Sequence, residues 1–242
     1  MALLEADAVL FDLGNTLVSY YKAADFYPIL ERSISAVTCL LQAEHRSAVV
    51  EHAFERAKSF NSERPDFRVW PLKQRLNEIF AAGGETLPDE LLDAMSRRFL
   101  EPIFATASPN PEAVPVLRRI RTLGLKCAVV SNTPWGSPAA AWRDELHRWG
   151  LLELVDAAVF CVDVGWRKPA PQIFEHTLGR LGVPARRALF IGDDLRWDVE
   201  GAHQVGMVPV LLSDDASAAS QCHTIQHLAD LTPMLWRPAD TE

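Results

Sequence analysis

The chain has 242 residues, 48% of them hydrophobic and 23% charged, and a formal net charge of −8. That length accommodates one α/β domain with a smaller insertion, and the composition is that of a globular protein, not a disordered or fibrous one. The acidic balance argues against nucleic acid or an anionic membrane as the main partner, while leaving room for a phosphate whose site is set by a metal ion and a few local cations.

Four scattered cysteines, Cys39, Cys127, Cys161 and Cys222, make no CxxC pair. This argues against a cysteine-based zinc site and suits a reducing compartment. Residues 1–7 lack a basic region followed by a long apolar one, and no apolar run is long enough to span a bilayer. The expectation is a cytoplasmic protein without membrane association.

In chain order, the first element is the apolar run Ala8-Val9-Leu10-Phe11, stopped by Asp12 and then by Gly14-Asn15. It reads as a buried parallel strand whose carboxyl end presents Asp12 at the edge of a crevice. A carboxylate there can ligate a hard cation or attack an electrophile, or it can simply close an Asx turn. Gly14 permits close approach of a ligand, and Thr16 adds a hydroxyl.

Residues 18–100 change character. Phe26, Ile29, Leu30, Ile34, Val37 and Leu41 follow an i, i+3/i+4 rhythm, and similar spacing recurs over 49–60, 72–80 and 91–100. Four amphipathic helices without a convincing strand predict a helical insertion after the first strand. The linker 61–71 mixes cations, aromatics and prolines. Arg64, Arg68 and Trp70 make it a candidate for substrate contact, as are Tyr20, Tyr21 and Lys22 near the hinge, although a solvated connection with Trp70 packed beneath it explains the loop equally well.

Beyond Pro111 the alternation is regular. Helices are predicted over 112–123, 138–149, 171–181 and 198–205, and strands over 126–130, 157–162, 188–191 and 208–212. A further weak helix is expected in the tail after Ser213. Such alternation means right-handed βαβ units and a doubly wound, mostly parallel sheet. Polar residues follow several of the strands: Asp12, then Ser131-Asn132-Thr133, then Gly192-Asp193-Asp194, with Lys168 in the connection after the third strand. Taken singly, Ser131 is a helix cap, Lys168 an exposed cation, and Asp193, Asp194 and Asp198 a capped helix start. Their arrival together at equivalent strand ends is what those readings leave unexplained.

Asp12-Leu13-Gly14-Asn15-Thr16, Ser131-Asn132, Arg167-Lys168-Pro169 and Gly192-Asp193-Asp194-Leu195-Arg196-Trp197-Asp198 resemble, in order, the four motifs of the haloacid dehalogenase superfamily. The resemblance covers nearly the whole chain. It implies an α/β core of residues 1–17 and 101–242 and a helical cap of residues 18–100. It also implies Mg²⁺-dependent hydrolysis of a small phosphorylated metabolite through an aspartyl-phosphate on Asp12. The ion would be held by Asp12, Asp193 and the Gly14 carbonyl. Ser131 and the neighbouring Asn132 would bind the phosphoryl group, Lys168 would stabilise Asp12 and the transition state, and Asp198 would orient Lys168, with Asp194 in support. One departure stands out. The family's phosphatases usually carry a proton-donating aspartate two residues after the nucleophile, where this chain has Gly14. Two alternatives follow: a metal-free carbon–halogen hydrolase, and a binding protein that kept the fold but lost turnover. Oligomeric state is left open.

Overall fold

A parallel sheet of six strands organises the molecule, in the order Ala157–Phe160 (β6), Lys126–Ser131 (β5), Ala8–Phe11 (β2), Ala188–Gly192 (β7), Val208–Leu212 (β8) and His223–Ile225 (β9). The computed structural model describes residues 4–21, 23–44, 50, 52–60, 64–81, 86–214 and 222–236. Lys22, residues 61–63 of the cap linker and the Gly83-Gly84 pair lie outside them. Strand β2 (Ala8–Phe11) is central, flanked by β5 (Lys126–Ser131) and β7 (Ala188–Gly192), with Ala8 registered against both Lys126 and Ala188. All four β2 side chains are buried. Val9 and Phe11 join one core cluster and Ala8 and Leu10 the other, so helices must cover both faces, as an uninterrupted apolar run requires. Helix α5 (Ala113–Thr122) lends Val116, Leu117 and Ile120 to the first cluster; α8 (Pro171–Leu181) lends Ile173, Phe174 and Leu178 to the second.

The sheet is completed by β6 (Ala157–Phe160), β8 (Val208–Leu212) and β9 (His223–Ile225). Outside it, β1 (Leu4–Glu5) pairs in parallel with β10 (Leu235–Trp236).

The insertion leaves the core through β3 (Val18–Ser19) and returns through β4 (Ser108–Pro109), which pair antiparallel. Asn110 ties the two together, its amide N–H donating to Leu17 O at 2.9 Å and its side chain to Thr16 O at 3.2 Å. Between them lie α1 (Phe26–Ala43), α2 (Ala53–Ser59), α3 (Leu72–Phe80) and α4 (Asp89–Phe104). Helix α1 buries Ile29, Leu30, Ile34, Val37 and Leu41, and α4 buries Leu91, Leu92, Met95, Phe99, Leu100 and Ile103. Each such side chain removed from water stabilises the cap by roughly 2 kcal/mol before entropic costs. The cap is therefore held by its own apolar stripes.

Three expected elements differ. The strand predicted over 157–162 stops at Phe160, and α7 (Cys161–Val164) begins there, because the Asp163 carboxylate accepts the Phe160 N–H at 2.9 Å. The helix predicted over 198–205 starts earlier as a π-helical turn, Leu195–Glu200, followed by α9 (Gly201–Gln204). Beyond Ser213 the described tail holds the expected weak helix, as a 3₁₀ helix at Leu228–Met234, but flanked by two strands that were not expected, β9 and β10. Among the described residues no helix is long and apolar enough to cross a membrane.

Candidate active site

The parallel register delivers the carboxyl ends of β2, β5 and β7 to one edge of the sheet, where the polar residues of the sequence converge. Asp12, Asp193 and Asp198 each place a carboxylate oxygen within 4.8 Å of the others. Lys168 reaches the cluster from the connection after β6. Its Nζ donates to Asp12 Oδ1 and to Asp198 Oδ1, both at 2.6 Å, and the side chain is 2% exposed. Burial alone would drive the proton from this amine, but the charges of Asp12 and Asp198 outweigh it and raise its pKa above the usual lysine value. It stays an ammonium.

The acids answer to the same field. Burial, reinforced by the Asp12 charge, pushes Asp193 up to about 6 against the pull of Lys168. Burial likewise holds Asp198 above the usual carboxylate range, with Lys168 opposing. Three carboxylates share one ammonium, so the cluster has a surplus of negative charge and hard oxygen donors. Those are the conditions a small divalent cation meets. Asp12 and Asp193 fit such an ion. Asp198 is already engaged, by Lys168 through one oxygen and by the Asp194 N–H at 3.2 Å through the other.

Gly192 makes this possible. A Cβ there would lie 2.2 Å from Asp198 Oδ2, so the carboxylate occupies the space that any other residue would fill. Asp194 turns out to be a cap, its Oδ1 accepting the N–H groups of Arg196 and Trp197 at 2.8 Å. Asn15 adopts φ +56°, a left-handed conformation that asparagine tolerates, while Gly14 has no Cβ obstacle within 4 Å and no positive φ.

Next to the cluster is a pocket of about 170 Å³. Its polar side is Gly14, Asn15, Ser131 and Asn132; its apolar wall is Tyr20, Tyr21, Pro134 and Trp142. Ser131 is 5% exposed. Tyr20 and Tyr21 follow β3, so the first strand of the cap hinge carries the wall into place. Trp142 meets the edge of Tyr20 at 5.4 Å and is fixed by its Nε1–H on Ser137 Oγ at 2.9 Å. Helical periodicity marks Trp142 only as a helix residue, and nothing in its sequence neighbourhood points to the pocket; Pro134 carries one signal, its place two residues after Asn132.

Two of the expected substrate contacts are engaged with protein groups. Arg68 is exposed, its guanidinium over the Trp166 ring at 4.4 Å, and it is not among the pocket-lining residues. The Asn132 side chain is engaged with the Lys168 backbone, accepting its N–H at 2.8 Å and donating to its carbonyl at 3.2 Å. Arg64 stacks on Trp70 at 5.5 Å.

This arrangement of sheet, inserted helical cap and acid–lysine cluster is the haloacid dehalogenase-like hydrolase design, and the chain belongs to that family, matching it over residues 6–206. It is a hydrolase. The glyceraldehyde 3-phosphate phosphatase of Methanopyrus kandleri is 29% identical over 84% of this chain and 82% of its own. A haloacid dehalogenase-type phosphatase from Thermococcus onnurineus superposes with a TM-score of 0.62 at 27% identity, covering 94% of this chain and 97% of its own. A 2-haloacid dehalogenase from Pseudomonas syringae shares the fold with a TM-score of 0.65 at 24% identity, covering 97% and 98%.

Proposed function

We propose that the protein hydrolyses a small phosphomonoester, with Asp12 as nucleophile. The observation that carries this reading is the Lys168 ammonium bridging Asp12 and Asp198 at 2.6 Å beside a third, half-buried carboxylate, Asp193. A metal-free carbon–halogen hydrolase has no need of so many acids held together. Similarity to the Methanopyrus kandleri phosphatase supports a phosphorylated metabolite as substrate, and a pocket of about 170 Å³ suits a molecule of few heavy atoms, below the usual range of about 300–1,000 Å³ for drug-sized ligands.

In this reading Asp12 attacks phosphorus and the leaving-group oxygen departs with its electron pair, leaving an aspartyl-phosphate that water then hydrolyses. Lys168 holds Asp12 in orientation through their ion pair, and Asp198 keeps Lys168 in place. Ser131 donates to a phosphoryl oxygen. Magnesium is the divalent ion we assign to Asp12, Asp193 and the Gly14 carbonyl, and when bound it offsets the repulsion between an attacking carboxylate and an anionic substrate. The test is phosphate release over a panel of phosphomonoesters with Mg²⁺ and with excess chelator. Turnover that needs Mg²⁺ and disappears in Asp12→Asn supports the reading. Full activity in chelator, or halide release from a haloacid in its place, refutes it.

A further inference from the structure

The ammonium at the centre of the site hangs from a short segment, residues 165–168, that is gripped from two sides. On the core side the Asn132 carboxamide binds both backbone groups of Lys168, with Oδ1 accepting the N–H and Nδ2 donating to the carbonyl. On the cap side, the loop before α3 runs alongside in an antiparallel bridge between Arg68 and Trp166. Val69 N–H donates to Gly165 O at 3.0 Å, and Arg167 N–H donates to Phe67 O at 2.8 Å. Side chains reinforce the bridge: the Arg68 guanidinium covers Trp166, Phe67 meets Trp197 edge-on at 6.2 Å, and Val69 packs against the second core cluster.

We propose that Asn132 is a positioning residue for Lys168 and that cap residues Phe67–Val69 form a strap completing the same grip. The cap then acts on the chemical step through Lys168, and Arg68 acts through Trp166 and not by touching substrate. The inference concerns the site to which phosphomonoester hydrolysis is assigned above and rests on that reading for its kinetic readout. A carboxamide presents one carbonyl and one NH₂ group, and here each is directed at a complementary backbone group of the residue that carries the ammonium. Displacing a group at the reacting centre by about 1 Å can cost about 10²-fold in rate while binding survives.

The experiment compares wild type with Asn132→Ala, Asn132→Ser, Arg68→Ala and Val69→Pro, the last removing the N–H that bonds Gly165. Kinetics are measured on an aryl phosphate and on the best alkyl phosphate, product affinity with inorganic phosphate, folding by circular dichroism, and hydrogen exchange over residues 165–168. Asn132→Ala is expected to lower kcat by about 10²-fold on both substrates, with KM and phosphate affinity essentially unchanged. Arg68→Ala, losing an exposed cation–aromatic contact, should lower kcat by at most about fivefold, equally on both substrates, and accelerate exchange over 165–168. Val69→Pro should do the same more strongly. If either Asn132→Ala or Val69→Pro fails to fold, Asn132→Ser and Arg68→Ala test the two sides of the grip. A raised KM or weakened phosphate affinity at unchanged kcat in the Asn132 variants would make Asn132 a substrate ligand and overturn the proposal. An Arg68→Ala protein that discriminates between the two substrates, or that leaves kcat and exchange at 165–168 untouched, would remove the strap. Should wild type hydrolyse no phosphomonoester, the phosphatase reading fails by itself, and exchange at 165–168 still decides the grip.

Discussion

Gly14 stands where related phosphatases usually present a proton-donating acid, and its surroundings say what restoring one would do. No heavy atom lies within 4 Å of a built Cβ, and the backbone needs no left-handed conformation, so Gly14→Asp should fold. A positioned general acid is worth roughly 10²–10⁴ in rate when the leaving group needs a proton. Wild type should therefore show a steep fall of log kcat/KM with leaving-group pKa across aryl and alkyl phosphates, and Gly14→Asp should flatten it. An unchanged slope in a folded, metal-binding variant would mean that the proton already comes from elsewhere. Tyr20 is not that source, because its hydroxyl is buried without a hydrogen-bond partner among the described residues. Burial, helped by the charges of Glu145 and Asp12, raises the phenol above its ordinary pKa, so it remains neutral. Deleting a buried hydroxyl with no partner relieves a desolvation penalty of about 1 kcal/mol. Tyr20→Phe should thus melt no lower than wild type and keep kcat/KM within about twofold on that ground; a markedly lower melting temperature would reveal a partner for the hydroxyl.

At the scale of elements, cap and core meet closely at Gly136, in the loop between β5 and α6 (Ala139–Arg148). A Cβ there would meet Trp70 O at 2.4 Å and Val69 Cγ1 at 2.9 Å, at φ +63°. Gly136→Ala combines that clash with backbone strain of about 1–3 kcal/mol. A lower urea midpoint and faster proteolysis within 64–71 are expected, and a variant as stable as wild type would show that the loop can shift at no cost. None of this was visible in the sequence, where Gly136 is one glycine between Trp135 and Ser137. What was legible followed from periodicity and strand-end chemistry: Ile29 to Leu41 mark α1, the run from Ala8 to Phe11 marks β2, and Asp12, Ser131 and Asp193 fall where parallel strands end, with Lys168 in the connection after β6. What was not legible depends on partners far along the chain. Asn132 lines the pocket as its place after β5 suggests, but its hold on the Lys168 backbone is invisible until the chain is folded; the same is true of Trp166 under Arg68, and Asp163 ends β6 through one side-chain bond that a run of apolar residues conceals.

For the whole molecule, the surplus negative charge at the sheet edge links stability to pH and to divalent cations. Asp193 is pushed up to about 6 in the fold from its ordinary 3.8, so between those values the folded protein holds a proton that the unfolded chain has released. This contribution is fully present below about pH 4 and is lost as pH rises through about 6. In chelator, raising the pH from 4.5 to 7 should therefore destabilise wild type more than Asp193→Asn, as read from urea midpoints; parallel curves would contradict it. Added Mg²⁺ should reverse the loss at pH 7, by about 2.7 kcal/mol at a hundredfold excess over Kd, and far less at pH 4.5, where protons compete for the same oxygens.

The central strand of the sheet is the first long strand to be made, yet its two neighbours begin only at Lys126 and Ala188. During synthesis on the ribosome, residues 8–11 therefore emerge with nothing to pair with. The helices of the insertion follow immediately and can condense on one another through neighbouring apolar stripes, while the strand before Asp12 waits. A nascent chain ending before β7 has the cap and Asp12 but neither Asp193 nor Asp198, and one open edge on the strand that leads to Asp12. Closing that edge means pairing strands far apart in the chain, which is slow. The acid cluster is accordingly among the last features to form, and a partly synthesised chain lacks two of its three carboxylates.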